Sequence, residues 1–149
     1  MSAWWLWRGA HRVVVCAYDC CVLPTQVAAL TGKPISDFEP PQIAKYVQSQ
    51  FYAPHFDAFD DTTAPGRQCI ATGGQRVATV LIYLNEVGRG GGTFFPTLKM
   101  RFLPKVGKAL LFFPCTLDGK LDKLALHTGE EAVDEKWVSQ IWVRQFKFG

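Results

Sequence analysis

The run RVATVLIYLN at residues 76–85 has the alternating pattern of a β-strand that lies between two packed layers. A period of two divides its side chains into two faces, Thr79, Leu81, Tyr83 and Ala78, Val80, Ile82, Leu84. Other short runs rich in Val, Ile, Phe, Tyr and Trp occupy residues 42–46, 51–59, 109–113, 124–127 and 136–146. Gly and Pro separate these runs, and many short strands between such turns predict a β-sandwich, jelly roll or barrel.

One short helix is predicted ahead of these strands. Gln26–Leu30 follows a capping Thr25 and ends at Gly32, which matches the usual start and stop signals of a helix. The residues before it show no clear strand or helix period. We therefore leave residues 1–24 unassigned and expect them not to cover an edge of the sheet.

Composition excludes several classes of protein. The chain has 149 residues, enough for one domain, and 48% of them are hydrophobic, as in a folded globular protein. A formal charge of +3, scattered along the chain, gives no nucleic-acid footprint. No apolar run reaches the ~18 residues of a membrane span. The 5 cysteines include no Cys-x-x-Cys, so they indicate neither a disulfide framework nor a zinc site, and they leave the redox compartment open.

A candidate metal site comes from the strand at residues 51–59. On that strand His55 and Asp57 share a face, and His127 can supply a third ligand from a neighbouring strand. Two histidines and one carboxylate can form a facial triad, in which three ligands occupy one face of an octahedral metal and leave the opposite face open to substrates. The alternative is a chance His-x-Asp pair and a histidine that is an ordinary hydrogen-bonded side chain.

The last predicted strand carries a candidate anion site. Lys136 shares a face with Val138, Gln140 and Trp142. An ammonium among apolar neighbours is costly unless an anion pairs with it, so an inward Lys136 indicates a carboxylate ligand. The alternative is a surface lysine that follows a hairpin.

Several motifs occur in a fixed order along residues 27–144. They are QIAKY at 42–46, FYAPHFD at 51–57, QRVATVLIYLN at 75–85, GGGTFFP at 90–96, PKVGKALLFF at 104–113, LHTG at 126–129 and KWV at 136–138. Together they resemble the prolyl 4-hydroxylase family of iron- and 2-oxoglutarate-dependent dioxygenases. The glycine run at 88–92 lacks the Gly-Lys-Ser/Thr ending of a phosphate loop, so it is read as a turn.

Carried over position by position, the resemblance implies a ligand set. Fe(II) would be held by His55, Asp57 and His127, which are then also the catalytic residues, and Lys136 would pair with the distal carboxylate of 2-oxoglutarate. Lys136 follows His127 by nine positions, where many family members have one more. The shorter connection could move the lysine by one residue of register.

The resemblance also implies a lining for the co-substrate pocket. Tyr46, Thr79, Tyr83 and Trp142 fall where family members present hydroxyls and a ring wall, and hydroxyls can bond a carboxylate without adding charge. The alternative for these residues is ordinary core. Arg76 could reach a peptide substrate near the mouth, or it could be a surface arginine at the start of a strand.

The fold and function implied by the resemblance are specific. Residues 25–149 would form a mainly β domain, a double-stranded β-helix (jelly roll, cupin-like) with a short N-terminal helix. It would use Fe(II), 2-oxoglutarate and O2, with ascorbate as reductant, to hydroxylate prolyl residues in a peptide or protein and release succinate and CO2. The elements that usually precede residue 27 are mostly missing, so we expect the chain to be N-terminally short.

Two alternative functions stay open. The same chemistry could act on a non-prolyl substrate, because loops set substrate choice. A truncated and inactive double-stranded β-helix could instead serve as a binding module. The sequence leaves the oligomeric state open, and it leaves open whether the chain works in the endoplasmic reticulum, another secretory compartment or the cytoplasm.

Overall fold

A computed structural model of the protein describes residues 4–8, 11–17 and 23–149. Its strands are β1 (Trp4–Arg8), β2 (His11–Ala17), β3 (Gln42–Tyr46), β4 (Tyr52–His55), β5 (Arg76–Tyr83), β6 (Thr93–Phe95), β7 (Met100–Phe102), β8 (Lys108–Phe112), β9 (His127–Gly129) and β10 (Lys136–Arg144). Its α-helices are α1 (Leu23–Thr31) and α2 (Ala64–Ala71). Short 3₁₀ turns lie at Ile35–Asp37 and Lys123–Ala125. Within the described ranges, neither helix is long enough to cross a membrane.

The strands form two antiparallel sheets. The six-stranded sheet has the order β1-β2-β8-β5-β10-β3, and the four-stranded sheet has the order β4-β9-β6-β7. Their facing sides share one apolar cluster, whose buried members are Leu81, Tyr83, Phe95, Phe102, Leu110, Phe112 and Val138. Two antiparallel sheets closed over a common core confirm the predicted mainly β jelly roll.

The outer face of the large sheet packs against α1. Val27 of this helix joins a second buried cluster that contains Ala78, Val80, Ile82, Ala109, Leu111, Ile141 and Val143. The alternation predicted for β5 is therefore confirmed, with one face between the sheets and the other under the helix. The glycine stop is confirmed too, because Gly32 has φ +68° and its N–H bonds Ala28 O at 2.9 Å. The helix begins at Leu23, three residues before the predicted first residue Gln26, so Thr25 lies inside it rather than at its cap.

The expectation that residues 1–24 do not cover an edge of the sheet is wrong, because strand pairing places part of this segment along β8. β1 and β2 form a hairpin, and β2 continues the sheet from the Val13↔Phe112 pair to the Ala17↔Lys108 pair. β8 is therefore an interior strand rather than an edge. Cys20 and Cys21, which the sequence leaves unassigned, lie outside the described residues.

Two predicted strands end or begin elsewhere. β4 stops at His55, so Asp57 lies in the bend that follows; Pro54 has no N–H for the ladder, and the pairing with β9 shifts register between Tyr52 and His55. The run predicted as a strand at 124–127 is a 3₁₀ turn, and β9 begins at His127. α2 is an addition to the prediction; its N-cap Thr63 accepts a hydrogen bond from Gly66 N.

A buried ion-pair network ties the large sheet to the segment before β3. The carboxylate of Glu39 accepts two hydrogen bonds from Arg76, at 2.7 and 2.8 Å, and one from Arg144 at 3.0 Å. Arg144 also donates to the carbonyls of Gly74 and Cys69. Burial raises the pKa of Glu39, but the two guanidinium groups more than offset this, and its pKa lies below the usual value.

Replacement of Glu39 tests the importance of this network. Glu39→Gln leaves two largely buried guanidinium groups without their carboxylate, so we expect the free energy of unfolding at pH 7 to fall by about 3 kcal/mol in urea titrations. The wild-type contribution is complete above the pKa of an unfolded glutamate and disappears as pH falls through the lowered folded value. Glu131→Gln, at an exposed glutamate, is the matched control. Equal stability of the two variants would contradict the prediction.

Candidate metal centre

Three side chains that could hold a metal ion converge between the two sheets. His55 ends β4, His127 begins β9, and the two residues are direct partners in the antiparallel pair. Asp57, in the bend after β4, has one carboxylate oxygen 3.7 Å from His55 Nε2 and the other 3.9 Å from His127 Nε2. One ligand atom from each residue lies within 4.8 Å of the other two.

Hydrogen bonds of the two imidazoles determine which ring nitrogens are free. Nδ1 of His55 lies 2.8 Å from Ala53 O, and Nδ1 of His127 lies 3.0 Å from Ala125 O. A carbonyl oxygen only accepts, so each Nδ1 carries the proton and each Nε2 presents a lone pair. Both Nε2 atoms are buried and have no hydrogen-bond partner. Buried acceptors without a donor are costly, and a cation is the natural group to satisfy them.

Aromatic rings hold the imidazoles in place. His127 packs between Phe95, with ring centroids 5.4 Å apart, and Phe112, with centroids 4.8 Å apart. Tyr52 covers His55 at a centroid distance of 3.9 Å. The His127 side of the cluster is closed, whereas the His55 side chain is 19% exposed, so the cluster opens on the His55 side.

Electrostatics at the cluster favour a cation. Burial lowers the pKa of His127, an effect that the neighbouring Asp57 charge partly opposes, so the imidazole is neutral and ready to act as a ligand at neutral pH. Asp57 is 4% exposed and brings a carboxylate into the same space. Two imidazoles and one carboxylate fit a divalent transition metal such as Fe(II).

Two of the predicted pocket hydroxyls have partners of their own. Thr79 Oγ1 donates to Asp57 Oδ2 at 2.7 Å, so this hydroxyl faces the metal cluster. Tyr83 OH bonds Thr93 Oγ1 at 2.8 Å and lies 3.2 Å from Phe102 O. Burial raises the pKa of Tyr83 to about 12, which keeps the phenol protonated.

Lys136 lies inside the fold at the start of β10. It is 2% exposed, which excludes the surface alternative, and its Nζ donates to Gly91 O at 3.0 Å. The ring centroid of Tyr46 lies 4.3 Å from this ammonium. Among the described residues no carboxylate lies within ion-pair distance of it. Burial lowers the pKa of Lys136 to about 8, although the more distant Glu130 acts in the opposite direction.

Trp142 and Arg76 lie together rather than at a free mouth. The guanidinium of Arg76 stacks 3.9 Å from the centroid of the Trp142 ring, and it is paired with Glu39. Trp142 Nε1 is buried without a hydrogen-bond partner. The structure thus brings Trp142 to the interior face opposite Thr79 and engages Arg76 in an internal ion pair. A contact between Arg76 and a peptide stays a prediction.

Two open clefts lie beside the cluster rather than on it. One, of about 520 Å³, is lined by Tyr46, Gln50 and Phe51 among others. The other, of about 730 Å³, is lined by residues that include Phe56 and Leu126, the sequence neighbours of the ligands. Tyr46 therefore lies between the buried Lys136 and the first cleft.

Sequence reasoning missed several neighbours of the site. Tyr52, Phe95 and Phe112 hold the imidazoles, and Gly91 supplies the carbonyl that bonds Lys136. A signal existed for Gly91: it has φ +66°, and a Cβ there would lie 3.0 Å from the Lys136 side chain, so the glycine run leaves room for the lysine. Phe95 and Phe112 had no such signal, because both are ordinary core residues by pattern.

Comparison with known proteins assigns the family. The model of the 2OG-Fe(II) oxygenase superfamily matches residues 41–144. Prolyl 4-hydroxylase 1 of Arabidopsis thaliana is 36% identical over 134 residues, covering 80% of this chain and 46% of the relative. Prolyl 4-hydroxylase 5 of the same plant is 33% identical over 168 residues, covering 98% of this chain and 54% of the relative.

A solved structure supports the same assignment. The viral collagen prolyl hydroxylase of Paramecium Bursaria Chlorella virus-1, in its 2OG complex, superposes with a TM-score of 0.68 at 30% identity, covering 95% of this chain and 78% of that one. The chain spans about half the length of the curated relatives it matches. Since the family model covers most of the chain, including His55, Asp57 and His127, the chain belongs to the 2OG-Fe(II) oxygenase superfamily.

Proposed function

We propose that residues 25–149 form the catalytic domain of an Fe(II)- and 2-oxoglutarate-dependent dioxygenase that hydroxylates prolyl residues in a peptide or protein. The observation that carries the proposal is the pair of buried, unpartnered Nε2 atoms beside the Asp57 carboxylate. The names of its prolyl 4-hydroxylase relatives supply the substrate class. His55, Asp57 and His127 are the proposed metal ligands.

The metal and its co-substrates have separate roles in the proposed reaction. When bound, Fe(II) supplies the redox chemistry by which O2 and 2-oxoglutarate give CO2, succinate and one hydroxyl oxygen on the substrate carbon. The second oxygen atom of O2 ends in the new carboxylate of succinate, and decarboxylation of the keto acid supplies two electrons. Ascorbate belongs to the proposal as the reductant that the family resemblance implies.

Lys136 is the proposed partner for the distal carboxylate of 2-oxoglutarate. Its ammonium has three protons and donates one to Gly91 O, so two remain to bond an anion. The Tyr46 ring lies 4.3 Å from the ammonium, and an aromatic neighbour that displaces water strengthens a charge pair. Thr79, Tyr83 and Trp142 line the same interior face, and Trp142 has an unused N–H donor.

The substrate side of the site is the proposed peptide entrance. Phe51 and Tyr52 are 63% and 48% exposed beside the cleft at Tyr46, and Tyr52 covers the open His55. Exposed aromatic rings suit proline-rich peptides in the polyproline II conformation, because such peptides lose little entropy on binding. A peptide placed there excludes water from the reacting carbon.

A metal titration tests the ligand set. We expect the metal-free protein to bind one Mn(II) or Fe(II), measured by anaerobic calorimetry, and we expect His55→Ala, Asp57→Ala and His127→Ala to abolish binding. Each variant removes one of only three protein ligands. Asp61→Ala removes a carboxylate outside the cluster and should bind metal as the wild type does. Full metal affinity in Asp57→Ala would refute the triad.

The pH dependence of co-substrate binding tests Lys136. Below a pKa of about 8 the ammonium is charged; above it, an anion must bring a proton with it, so 2-oxoglutarate affinity should fall about tenfold per pH unit. Calorimetry with the Mn(II)-loaded protein between pH 7 and pH 9.5 measures this. Lys136→Arg stays charged throughout, so its affinity should be weaker but independent of pH. Identical pH curves for the two proteins would rule out Lys136 as the anion partner.

The substrate class is tested by turnover. We expect a proline-rich peptide to stimulate succinate release and to gain one oxygen atom per modified residue in mass spectrometry. The same peptide with alanine in place of every proline is the control and should leave succinate at its basal level. Stimulation by a proline-free substrate alone would favour the non-prolyl alternative. Metal and 2-oxoglutarate binding without any turnover would favour the inactive binding module.

A further inference from the structure

The Thr79–Asp57 hydrogen bond connects the large sheet to the three proposed metal ligands. Thr79 is fully buried on the inner face of β5, and its hydroxyl lies 2.7 Å from Asp57 Oδ2. Its cross-strand partners are Phe112 on β8 and Trp142 on β10, so the Thr79 backbone is held from both sides. A hydroxyl at this point is fixed to an interior strand of the sheet.

Asp57 itself has little else to fix its carboxylate. It lies in the bend beyond β4, where no strand ladder holds it. Among the described residues Thr79 is the only group that donates a hydrogen bond to its carboxylate; the two imidazole Nε2 atoms, at 3.7 and 3.9 Å, lie beyond hydrogen-bond distance. The terminal torsion of a carboxylate is broad and easily turned.

The backbone after Asp57 is held by Gln75, which lies four residues before Thr79 in the chain. The Gln75 side chain accepts from Phe59 N at 2.7 Å and donates to Phe59 O at 2.8 Å, which pairs both backbone groups two residues beyond Asp57. The backbone bend is thus fixed by Gln75, and the orientation of the carboxylate is left to Thr79.

We propose that Thr79 is a positioning residue for Asp57: its hydroxyl holds one carboxylate oxygen and thereby orients the carboxylate as a metal ligand. This differs from the role in the co-substrate pocket that the sequence predicts for Thr79. The inference rests on the proposed metal site, because it concerns how one of its ligands is oriented. Groups that hydrogen-bond to a metal ligand typically change metal affinity by about 10–100-fold when they are removed.

A pair of substitutions separates this role from packing. Thr79→Val keeps the shape and removes the hydroxyl, whereas Thr79→Ser keeps the hydroxyl and removes a methyl group. If Thr79 only fills space, Ser is the more damaging change, because it leaves a cavity. If the hydroxyl positions Asp57, Val is the more damaging change for metal binding and Ser restores it.

The readout is the affinity of the metal-free protein for Mn(II), measured by calorimetry, with the melting temperature of each metal-free variant as a check of folding. We expect Thr79→Val to bind about 10–100-fold more weakly and Thr79→Ser to stay within about threefold of the wild type. Thr93→Val removes another buried hydroxyl, bonded to Tyr83 rather than to a ligand, and should leave metal affinity unchanged. If the valine variant is unfolded, Thr79→Ala against Thr79→Ser gives the same comparison.

The outcomes are distinct. Wild-type affinity in Thr79→Val, or an equal loss in Thr79→Ser, would overturn the positioning role while the metal site stands. A wild-type protein that binds no divalent metal would instead overturn the proposed function, before the variants are compared.

Discussion

The register between β5 and β10 is the constraint on which the rest of the structure depends. Thr79 lies opposite Trp142, and Tyr83 lies opposite Val138, while β8 holds β5 from the other side by pairing Thr79 with Phe112. Because side chains alternate, a slip of one residue would turn the Thr79 hydroxyl away from Asp57 and would turn Ala78, Val80 and Ile82 away from α1. The paired residues Phe112, Thr79 and Trp142 thus belong to the core and also support the proposed metal ligands. Phe112 contacts His127, and Thr79 donates a hydrogen bond to Asp57.

Two groups of buried polar side chains in this fold differ in how many of their hydrogen-bonding atoms have partners. Glu39, Arg76 and Arg144 bond one another and nearby carbonyls, so this network holds the sheet to its flanking segment. The two Nε2 atoms and Lys136 have no such completion: the former lack any hydrogen-bond partner, and the latter has a single carbonyl. Incomplete polar groups cost stability unless a ligand completes them. The candidate site therefore differs from the Glu39 network because its buried polar atoms lack hydrogen-bond partners, and not because it carries charge.

Much of this could be predicted from the sequence, and the reasons are specific. Alternation in β5 and β10 correctly predicts which side chains face the interior, because a strand has a strict period of two. The order of motifs leads to the family. The short helix α2 and the pairing of β2 with β8 were beyond reach, since a weak local pattern becomes structure only through tertiary contacts. The partner of Thr79 was also beyond reach, because Asp57 lies past the end of its strand and alternation says nothing about a bend.

The three proposed metal ligands come from parts of the fold that are held to different degrees. His127 is packed between two rings, and Asp57 is bonded to an interior strand of the large sheet. His55 lies on β4, an edge strand whose one neighbour in its sheet is β9. An ion bound by all three would join this edge to the body of the fold, and its binding free energy would also stabilise β4. The exposed Tyr52 and Phe51 lie on or beside β4, so that link also holds the aromatic surface where the peptide is proposed to enter.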